Sequence, residues 1–211
     1  MNQSIIPLFP LPLVVFPGER RPLHIFEERY KTMIAHCRDA ADGPLFGIAL
    51  VKDNKLYGAG CGLELIKILH TYPDGRLDII AVGRRRFRIL EVYSDRQPYL
   101  QAKVEFIEDE ALPVDEDLVQ QALEKRQTLD GLSQDSDPIE HLEETPSFAL
   151  VQGDEFGVED KQRVLEMTDE NERLRALIEC FDRLIPVLRQ HHQERERARG
   201  QTGKIESNGH L

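Results

Sequence analysis

The chain has 211 residues, of which 27 are Lys or Arg and 38 are Asp or Glu, so its formal net charge is −11. This length allows one or two domains with a core large enough to fold without disulfides, and three cysteines at no metal-binding spacing argue against a disulfide framework or a structural zinc site. No apolar run approaches the roughly 20 residues that cross a bilayer and the N-terminus lacks a signal-peptide pattern, so we predict a cytoplasmic protein with no membrane partner.

Charge and aromatic residues divide the chain into two parts. Residues 1–107 contain 15 Lys and Arg against 12 Asp and Glu, a net charge of +3, whereas residues 108–211 contain 12 against 26, a net charge of −14. All five Tyr and six of the nine Phe lie in the first part. This shift predicts a domain over residues 1–110, a second domain over residues 111–190, and a polar, disordered tail over residues 191–211.

The first predicted elements are an extended segment and a helix. Three prolines in residues 7–13 forbid a helix and remove hydrogen-bond donors, so this segment is predicted to be extended and irregularly paired. A helix ending near Asp39 follows, because apolar residues recur at helical spacing from Phe26 to Cys37.

The remainder of the first part is predicted to be β-strand. Runs of Ile, Leu and Val at residues 46–51, 63–69 and 77–82 are too short for typical helices, and the turn sequence at residues 74–76 joins the last two as a hairpin. Residues 100–106 alternate apolar and polar side chains, as in a strand with one buried face. Strands and helices do not alternate, so we predict a curled antiparallel or mixed sheet.

Three local features of the first part lead to further expectations. Phe87 is predicted to point inward and Arg86 and Arg88 outward, which would give the strand a basic outer face. Glycines at positions 58, 60 and 62 precede strand-like sequence and predict a turn or bulge rather than a phosphate-binding loop. His24 is interpreted as a packed histidine, because no second His or Cys stands at metal-binding spacing.

The second part is predicted to be helical. Asp115 is a suitable N-cap and Gly131 a suitable stop for an amphipathic helix between them, and a polar loop is expected over residues 133–145. The most regular helical pattern begins after Asp169, where a capping box is present. Pro186 is expected to kink or end this helix, and a frayed helix and tail should follow.

No common catalytic motif is present. The sequence lacks a P-loop, a nucleophile elbow, a zinc-binding His-Glu-x-x-His helix and a dinucleotide-binding glycine pattern. Cys37 and Cys180 lie on or beside apolar helix stripes and are interpreted as buried hydrophobic residues rather than nucleophiles. We therefore predict neither enzymatic activity nor a cofactor or metal site. A cryptic hydrolase would need a cluster of polar groups that sequence spacing does not reveal.

One basic cluster suggests an alternative ligand. Arg84, Arg85, Arg86 and Arg88 surround Phe87 and would suit a phosphate backbone, as in an RNA-binding module. The net charge of −11 argues against affinity for a polyanion, so nucleic acid is kept only as the alternative hypothesis.

The N-terminal sequence resembles a known family. Residues 7–18, which end in Phe16-Pro17-Gly18, and residues 22–30, which end in Phe26-Glu27-Glu28-Arg29-Tyr30, are similar to the N-terminal, substrate-binding domain of Lon proteases. Further segments resemble the same family in the expected order: residues 46–48, 74–76, 86–89, 161–162, 165–166 and 169–177.

This resemblance implies an α+β protein in which a PUA-like curled β-barrel or sheet with one early helix precedes an α-helical bundle. It also implies a stand-alone polypeptide-recognition module, without the ATPase and peptidase modules of Lon, that binds unfolded or extended polypeptide and works beside a separate protease or chaperone. The candidate binding residues are Phe16, Pro17, Leu23, Phe26, Glu27, Arg29 and Tyr30.

These candidates also have a structural interpretation. The aromatic residues Phe16, Phe26 and Tyr30 would serve as scaffold, with a share in an exposed apolar groove as the alternative. Glu27 and Arg29 would form a first-turn dipole charge and a surface ion pair, with contact to a partner as the alternative.

Overall fold

The computed structural model of the protein describes residues 2–39, 45–132 and 145–206. These residues contain six strands, all before residue 107, and five helices, four of them after it, so the predicted α+β class is confirmed. In chain order the elements are β1 (Gln3–Leu11), β2 (Arg20–Ile25), α1 (Glu28–Asp39), β3 (Phe46–Lys52), β4 (Lys55–Thr71), β5 (Leu77–Tyr93), β6 (Leu100–Phe106), α2 (Glu116–Asp130), α3 (Pro146–Leu150), α4 (Val158–Glu166) and α5 (Glu170–Glu206).

Five of the strands close into a barrel. In the sheet β5, β4, β3, β1 and β6 are successive neighbours, and β6 pairs again with β5. Closure is possible because β5 is 17 residues long, so that its early part pairs with β4 and its later part with β6. The β1–β3 pair is parallel and the others are antiparallel, so the predicted curled, mixed sheet is confirmed.

The prediction of irregular pairing for the proline-rich segment is wrong. β1 lies between β3 and β6 in continuous register: residues 3–8 pair with β6 and residues 8–11 with β3. The strand changes neighbour at Leu8, so Pro7 faces only β6 and Pro10 faces only β3. A proline with one strand neighbour can direct its missing N–H to the unpaired side, which explains why the ladder tolerates both.

The barrel interior is filled by Phe87, as its inward orientation predicted. This ring is fully buried, and ideal Cβ atoms built on Gly47 and Gly60 would lie 2.7 Å from it. Gly60 belongs to β4 and is paired with Phe87, and of the turn or bulge predicted for the glycine cluster the structure shows a bulge-like register shift after Gly62. The glycine is explained by the space that the opposing ring requires.

The outer parts of β4 and β5 extend past the barrel and form an arm with β2. We define the arm as residues 64–82, which contain the outer part of β4, the hairpin turn and the first part of β5, together with β2 and Phe26 after it. Within the described ranges, β2 pairs with β5 alone. The predicted hairpin turn joins β4 to β5, with Gly75 at φ 81°. Helix α1, at the predicted position, covers one face of the arm with a stripe that includes Tyr30, Met33, Ile34 and Cys37.

Helices α2 to α5 form a bundle that packs against the barrel. Their shared core includes Leu129, Phe148, Leu177 and Phe181, and the loop between β1 and β2 contributes Phe16 to the same cluster. The sequence predicted a loop over residues 133–145, and residues 133–144 of it lie outside the described residues. None of the helices in the described ranges is long and apolar enough to cross a membrane.

Helix α5 differs from its sequence-based prediction at its C-terminal end. It starts after Asp169, whose Oδ1 accepts a 2.8 Å hydrogen bond from the backbone N–H of Asn171, and it continues through Pro186 to Glu206. Apolar residues on both sides of the proline, Leu184 and Leu188, pack against the bundle core, and this packing holds the helix across the missing donor. After Gln190, where a frayed helix and disordered tail were expected, the helix continues as far as Glu206, and residues 207–211 of the predicted tail lie outside the described residues.

The predicted cap of α2 gives a testable stability effect. Asp115 accepts hydrogen bonds from the backbone N–H groups of Asp117 and Leu118, and α2 ends before Gly131 as expected. We expect Asp115→Ala to lower the free energy of unfolding by about 1 kcal/mol in urea denaturation. Glu116→Ala is the control and should cost only a few tenths of that; equal losses would contradict the cap.

Arg86 is buried, so the prediction that it contributes to a basic outer surface of the strand is wrong. Its side chain is 3% exposed, and it donates hydrogen bonds to the carbonyl oxygens of Leu165 and Met167 and to Asp109. The helical bundle covers the outside of the barrel at this point. Burial lowers the pKa of Arg86 and the Asp109 carboxylate opposes that shift, so the guanidinium stays charged as a link between the two parts.

Candidate functional site

The arm has one face that none of the helices in the described part of the chain covers. Residues paired across neighbouring strands share a face, so the registers of β2, β5 and β4 divide the arm into an α1-covered side and an open side. All residues on the open side are exposed or half-buried. We call this surface the outer face. Strand register gives it three rows from the barrel outward: Arg20, Val82 and Glu64; Pro22, Ile80 and Lys67; His24, Asp78 and His70. Beyond the last row, Phe26, Arg76 and Tyr72 extend this face at the tip, where Phe26 is stacked on His24 and Tyr72 contacts both His24 and Arg76.

Four rings form a continuous cluster at the tip of the outer face. The ring of His24 is stacked on Phe26 with centroids 6.1 Å apart and contacts Tyr72 edge-on at 5.8 Å. His70 approaches Tyr72 edge-on at 4.4 Å, and the guanidinium of Arg76 lies 4.9 Å from the Tyr72 ring centre. Phe26 is 61% exposed. Such rings offer planar, amphipathic contact area to a ligand.

Asp78 orders this cluster from its centre. Its Oδ1 lies 2.6 Å from Nδ1 of His24, and its Oδ2 accepts a 2.8 Å hydrogen bond from the Tyr72 hydroxyl. These two hydrogen bonds lower the pKa of Asp78, and the hydrogen bond between Tyr72 and Asp78 raises the pKa of Tyr72. The carboxylate is therefore charged and the phenol neutral at neutral pH. Because a carboxylate only accepts, Nδ1 of His24 carries the proton.

Some charged side chains of the outer face have a partner within the protein, and others have none among the described residues. Both of its carboxylates are engaged, Asp78 as above and Glu64 by a 2.7 Å ion pair with Arg84. Arg76 pairs with Asp74 of the hairpin turn at 2.7 Å. Within residues 2–39, 45–132 and 145–206, Arg20 and Lys67 form neither an ion pair nor a side-chain hydrogen bond, although both are exposed.

The structure separates the candidate binding residues of the sequence into two groups. Phe16 is buried at the joint with the bundle, 5.5 Å from the ring of Phe148, and Pro17 lies beside it in the turn. The other candidates lie at the arm or at the start of α1. Leu23 packs on the covered face, and Tyr30 is buried against Phe9 with ring centroids 4.0 Å apart.

The charged candidates agree with a surface ion pair. Arg29 and Glu27 are 2.8 Å apart, and the Arg29 guanidinium also lies 4.6 Å from the ring centre of Tyr30. Of the seven candidates, only Phe26 belongs to the outer face. Sequence reasoning missed the other members of this face, and it expected His24 to be packed whereas its side chain is 43% exposed. The available signal was period-2 spacing, which places Pro22, His24 and Phe26 on one side.

The basic cluster proposed for nucleic acid is dispersed. Arg84 pairs with Glu64 and Arg85 with Glu108, both at 2.7 Å, while Arg86 is buried. Arg88 is exposed. The arrangement leaves fewer free cations for a phosphate backbone than the sequence suggested.

The thiols are poorly suited to nucleophilic chemistry. Cys37, Cys61 and Cys180 are free and buried, and burial raises the pKa of all three, that of Cys37 to about 11. Cys37 lines a cavity of about 250 Å³ between the end of α1 and β4. Among the described residues, no three His, Cys, Asp or Glu side chains are grouped so that they could hold a metal ion.

The fold and the outer face together define a small α+β domain that presents an open sheet surface beside a closed barrel. The chain belongs to the family of ATP-dependent protease La (LON) substrate-binding domains, which it matches over residues 5–183. The sequence resemblance to this family is therefore confirmed.

Whole Lon proteases are among its relatives. The Lon protease of Anaeromyxobacter dehalogenans is 24% identical over 234 residues, which cover 99% of this chain and 26% of that protein. The Lon protease of Escherichia coli K12 is 27% identical over 231 residues, which cover 98% of this chain and 28% of that protein. The chain thus spans about a quarter of the length of these relatives.

Two solved structures share the fold. The Lon N-terminal domain protein from Xanthomonas campestris superposes with a TM-score of 0.65 at 23% identity, covering 83% of this chain and 97% of that one. The N-terminal domain of the Mycobacterium avium complex Lon protease superposes with a TM-score of 0.59 at 19% identity, covering 85% and 98%.

Proposed function

We propose that this chain is a polypeptide-recognition domain that binds unfolded or extended segments on the outer face of the arm. The observation that carries the proposal is the ring cluster around Phe26, which is 61% exposed at the tip of a sheet face that no described helix covers. Membership of the LON substrate-binding family supports a polypeptide as the ligand.

The physical basis is the burial of apolar and aromatic surface that is exposed in the free protein. An extended segment lying across the arm would cover Phe26 and Tyr72 while its backbone remains open to water at the edges. Exposed rings bind at little entropic cost when neighbouring contacts already hold them, as the His24 and Asp78 contacts hold Tyr72. Affinity in the micromolar range, about −8 kcal/mol, is expected for such a small and open surface.

The proposal includes a non-enzymatic role. The family match is to a substrate-binding domain, and the three thiols of this chain are buried. Unfolding and cleavage of a bound polypeptide would then be carried out by a separate protease or chaperone. A cytoplasmic location belongs to the same proposal, since free cysteines persist in a reducing compartment.

The test is a binding titration with a fluorescently labelled, reduced and permanently unfolded protein. The double variant Phe26→Ala/Tyr72→Ala should weaken binding about tenfold or more, because each ring contributes contact area at the centre of the site and 1.4 kcal/mol corresponds to tenfold. Fluorescence anisotropy gives the dissociation constant.

Val187→Ala is the matched control, since Val187 is 52% exposed on α5, away from the arm. It should leave binding unchanged, and circular dichroism should show that all variants are folded. Unaltered binding by the folded double variant would contradict the outer face as the site.

A further inference from the structure

We infer that the outer face selects extended polypeptide segments in which acidic side chains stand close to aromatic ones. This inference rests on the proposed function and specifies its substrate class. It is carried by the juxtaposition of the ring cluster with two cations that no described residue pairs.

The first step is the charge that the face presents to a ligand. Its two carboxylates are already engaged by groups of the protein, Glu64 by Arg84 and Asp78 by His24 and Tyr72. Arg20 and Lys67 have no such partner in the described ranges. A ligand therefore meets uncompensated positive charge, and carboxylates on the ligand can form ion pairs without displacing an existing partner.

The second step is spacing. Side chains on one face of a strand recur about every 6.6 to 6.8 Å, and an extended ligand has the same repeat. Lys67 and Pro22 occupy the row next to His24 and His70, and Phe26 and Tyr72 lie beyond that row at the tip, where both rings contact the ring of His24. An extended segment lying along the strands would thus place an acidic residue at Lys67 and an aromatic residue two or four positions further on.

The third step is the long-range electrostatic field around the arm. The net charge of −11 belongs to the helical half, because residues 1–107 carry +3 and residues 108–211 carry −14. The arm lies in the positive half, so the long-range field there does not repel an acidic segment as the whole-chain charge suggests. Two unpaired cations suit a few carboxylates better than the continuous phosphates of a nucleic acid.

The experiment uses the full chain and three labelled peptides of 12 residues in fluorescence anisotropy at low salt. One peptide has Glu two positions before Phe, the second has Lys in place of each Glu, and the third keeps Glu but has Ala in place of Phe. We expect the acidic aromatic peptide to bind about tenfold more tightly than either of the others, with the preference over Lys reduced by salt.

Charge reversal at the cations tests the residues themselves. Arg20→Glu/Lys67→Glu should abolish the preference for the acidic peptide, and Arg20→Gln/Lys67→Gln should reduce it with less risk to folding. Arg163→Glu is the control, because Arg163 is 58% exposed on α4 and lies outside the arm. It should leave the preference intact.

The outcomes separate this inference from the proposed function. Equal binding of the acidic and basic aromatic peptides, both lost in Phe26→Ala/Tyr72→Ala, would overturn the charge selection and leave polypeptide recognition standing. Failure to bind any peptide or the unfolded protein would overturn both. Tighter binding of an oligothymidylate than of the acidic peptide, lost on charge reversal, would overturn the inference in favour of nucleic acid.

Discussion

Arg173→Ala is expected to lower the free energy of unfolding by about 4 kcal/mol, because it removes one partner from a buried ionic network. The Arg173 side chain is 1% exposed and forms a two-pronged interaction with Asp109, with both N–O distances 2.8 Å. It also donates to Glu170 and Ser147. Glu170, whose side chain is 11% exposed in the intact protein, would lose the positive charge that pairs with it.

The measurement is urea denaturation followed by circular dichroism, with Arg163→Ala as the control. Arg163 is 58% exposed and lies 3.9 Å from Glu179, so its loss should cost less than about 1 kcal/mol. Arg173→Lys should restore only part of the stability, because an ammonium cannot reproduce the planar interaction with Asp109. Similar losses for Arg173→Ala and Arg163→Ala would show that the buried network contributes no more to the free energy of unfolding than an exposed ion pair does.

This network also explains how the arm is supported. Asp109 lies in the segment between barrel and bundle and receives hydrogen bonds from both Arg86 of β5 and Arg173 of α5. The strand that contains Arg86 continues from the arm, so the same interaction that joins the two parts anchors the middle of β5, just past the point where the strand leaves the arm. We therefore expect a weakened network to loosen the base of the arm as well as the bundle.

Gly60→Ala is expected to lower the free energy of unfolding by about 3 kcal/mol through overpacking of the barrel. A Cβ atom at this position would lie 2.3 Å from the carbonyl oxygen of Ile48 and 2.7 Å from the ring of Phe87. One neighbour is backbone and the other a fully buried ring, so neither can move aside without opening the barrel.

Gly58→Ala provides a control with the same substitution in the same strand. A Cβ atom there would have no neighbour within 4 Å, so the change should be neutral or stabilise by about 0.5 kcal/mol through the unfolded state. Thermal and urea denaturation of both variants measure the contrast. Equal stability of the two variants would contradict the close packing assigned to Gly60.

Several elements could be predicted because their signals are local. The apolar spacing of α1, the hairpin turn at Gly75, the N-cap at Asp115 and the alternation of β6 each depend on a few neighbouring residues. The structure confirms all four. In the candidate site, Phe26 was named from sequence because it stands in a segment that resembles the family.

The remainder depended on contacts between distant residues. Arg86 alternates with Phe87 and was therefore assigned to solvent, but its environment is set by carbonyl oxygens at positions 165 and 167, about 80 residues later in the chain. His24 and Asp78 are 54 residues apart in the chain, and both His24 of β2 and His70 of β4 are paired with Asp78 of β5. The ring cluster therefore forms only when all three strands pair in this register.

The sequence by itself determined the division into a positively charged strand part and an acidic helical part, the family, and the place of most helices and strands, since composition and periodicity are properties of the chain alone. Only the tertiary structure decided which side of the arm α1 covers, which arginines remain free, and which rings meet. These depend on strand register and on packing between the two parts, because burial and pairing are set by whatever lies across the interface. The net charge of −11 therefore does not describe the charge that a ligand meets, because Arg20 and Lys67 lie on the uncovered face.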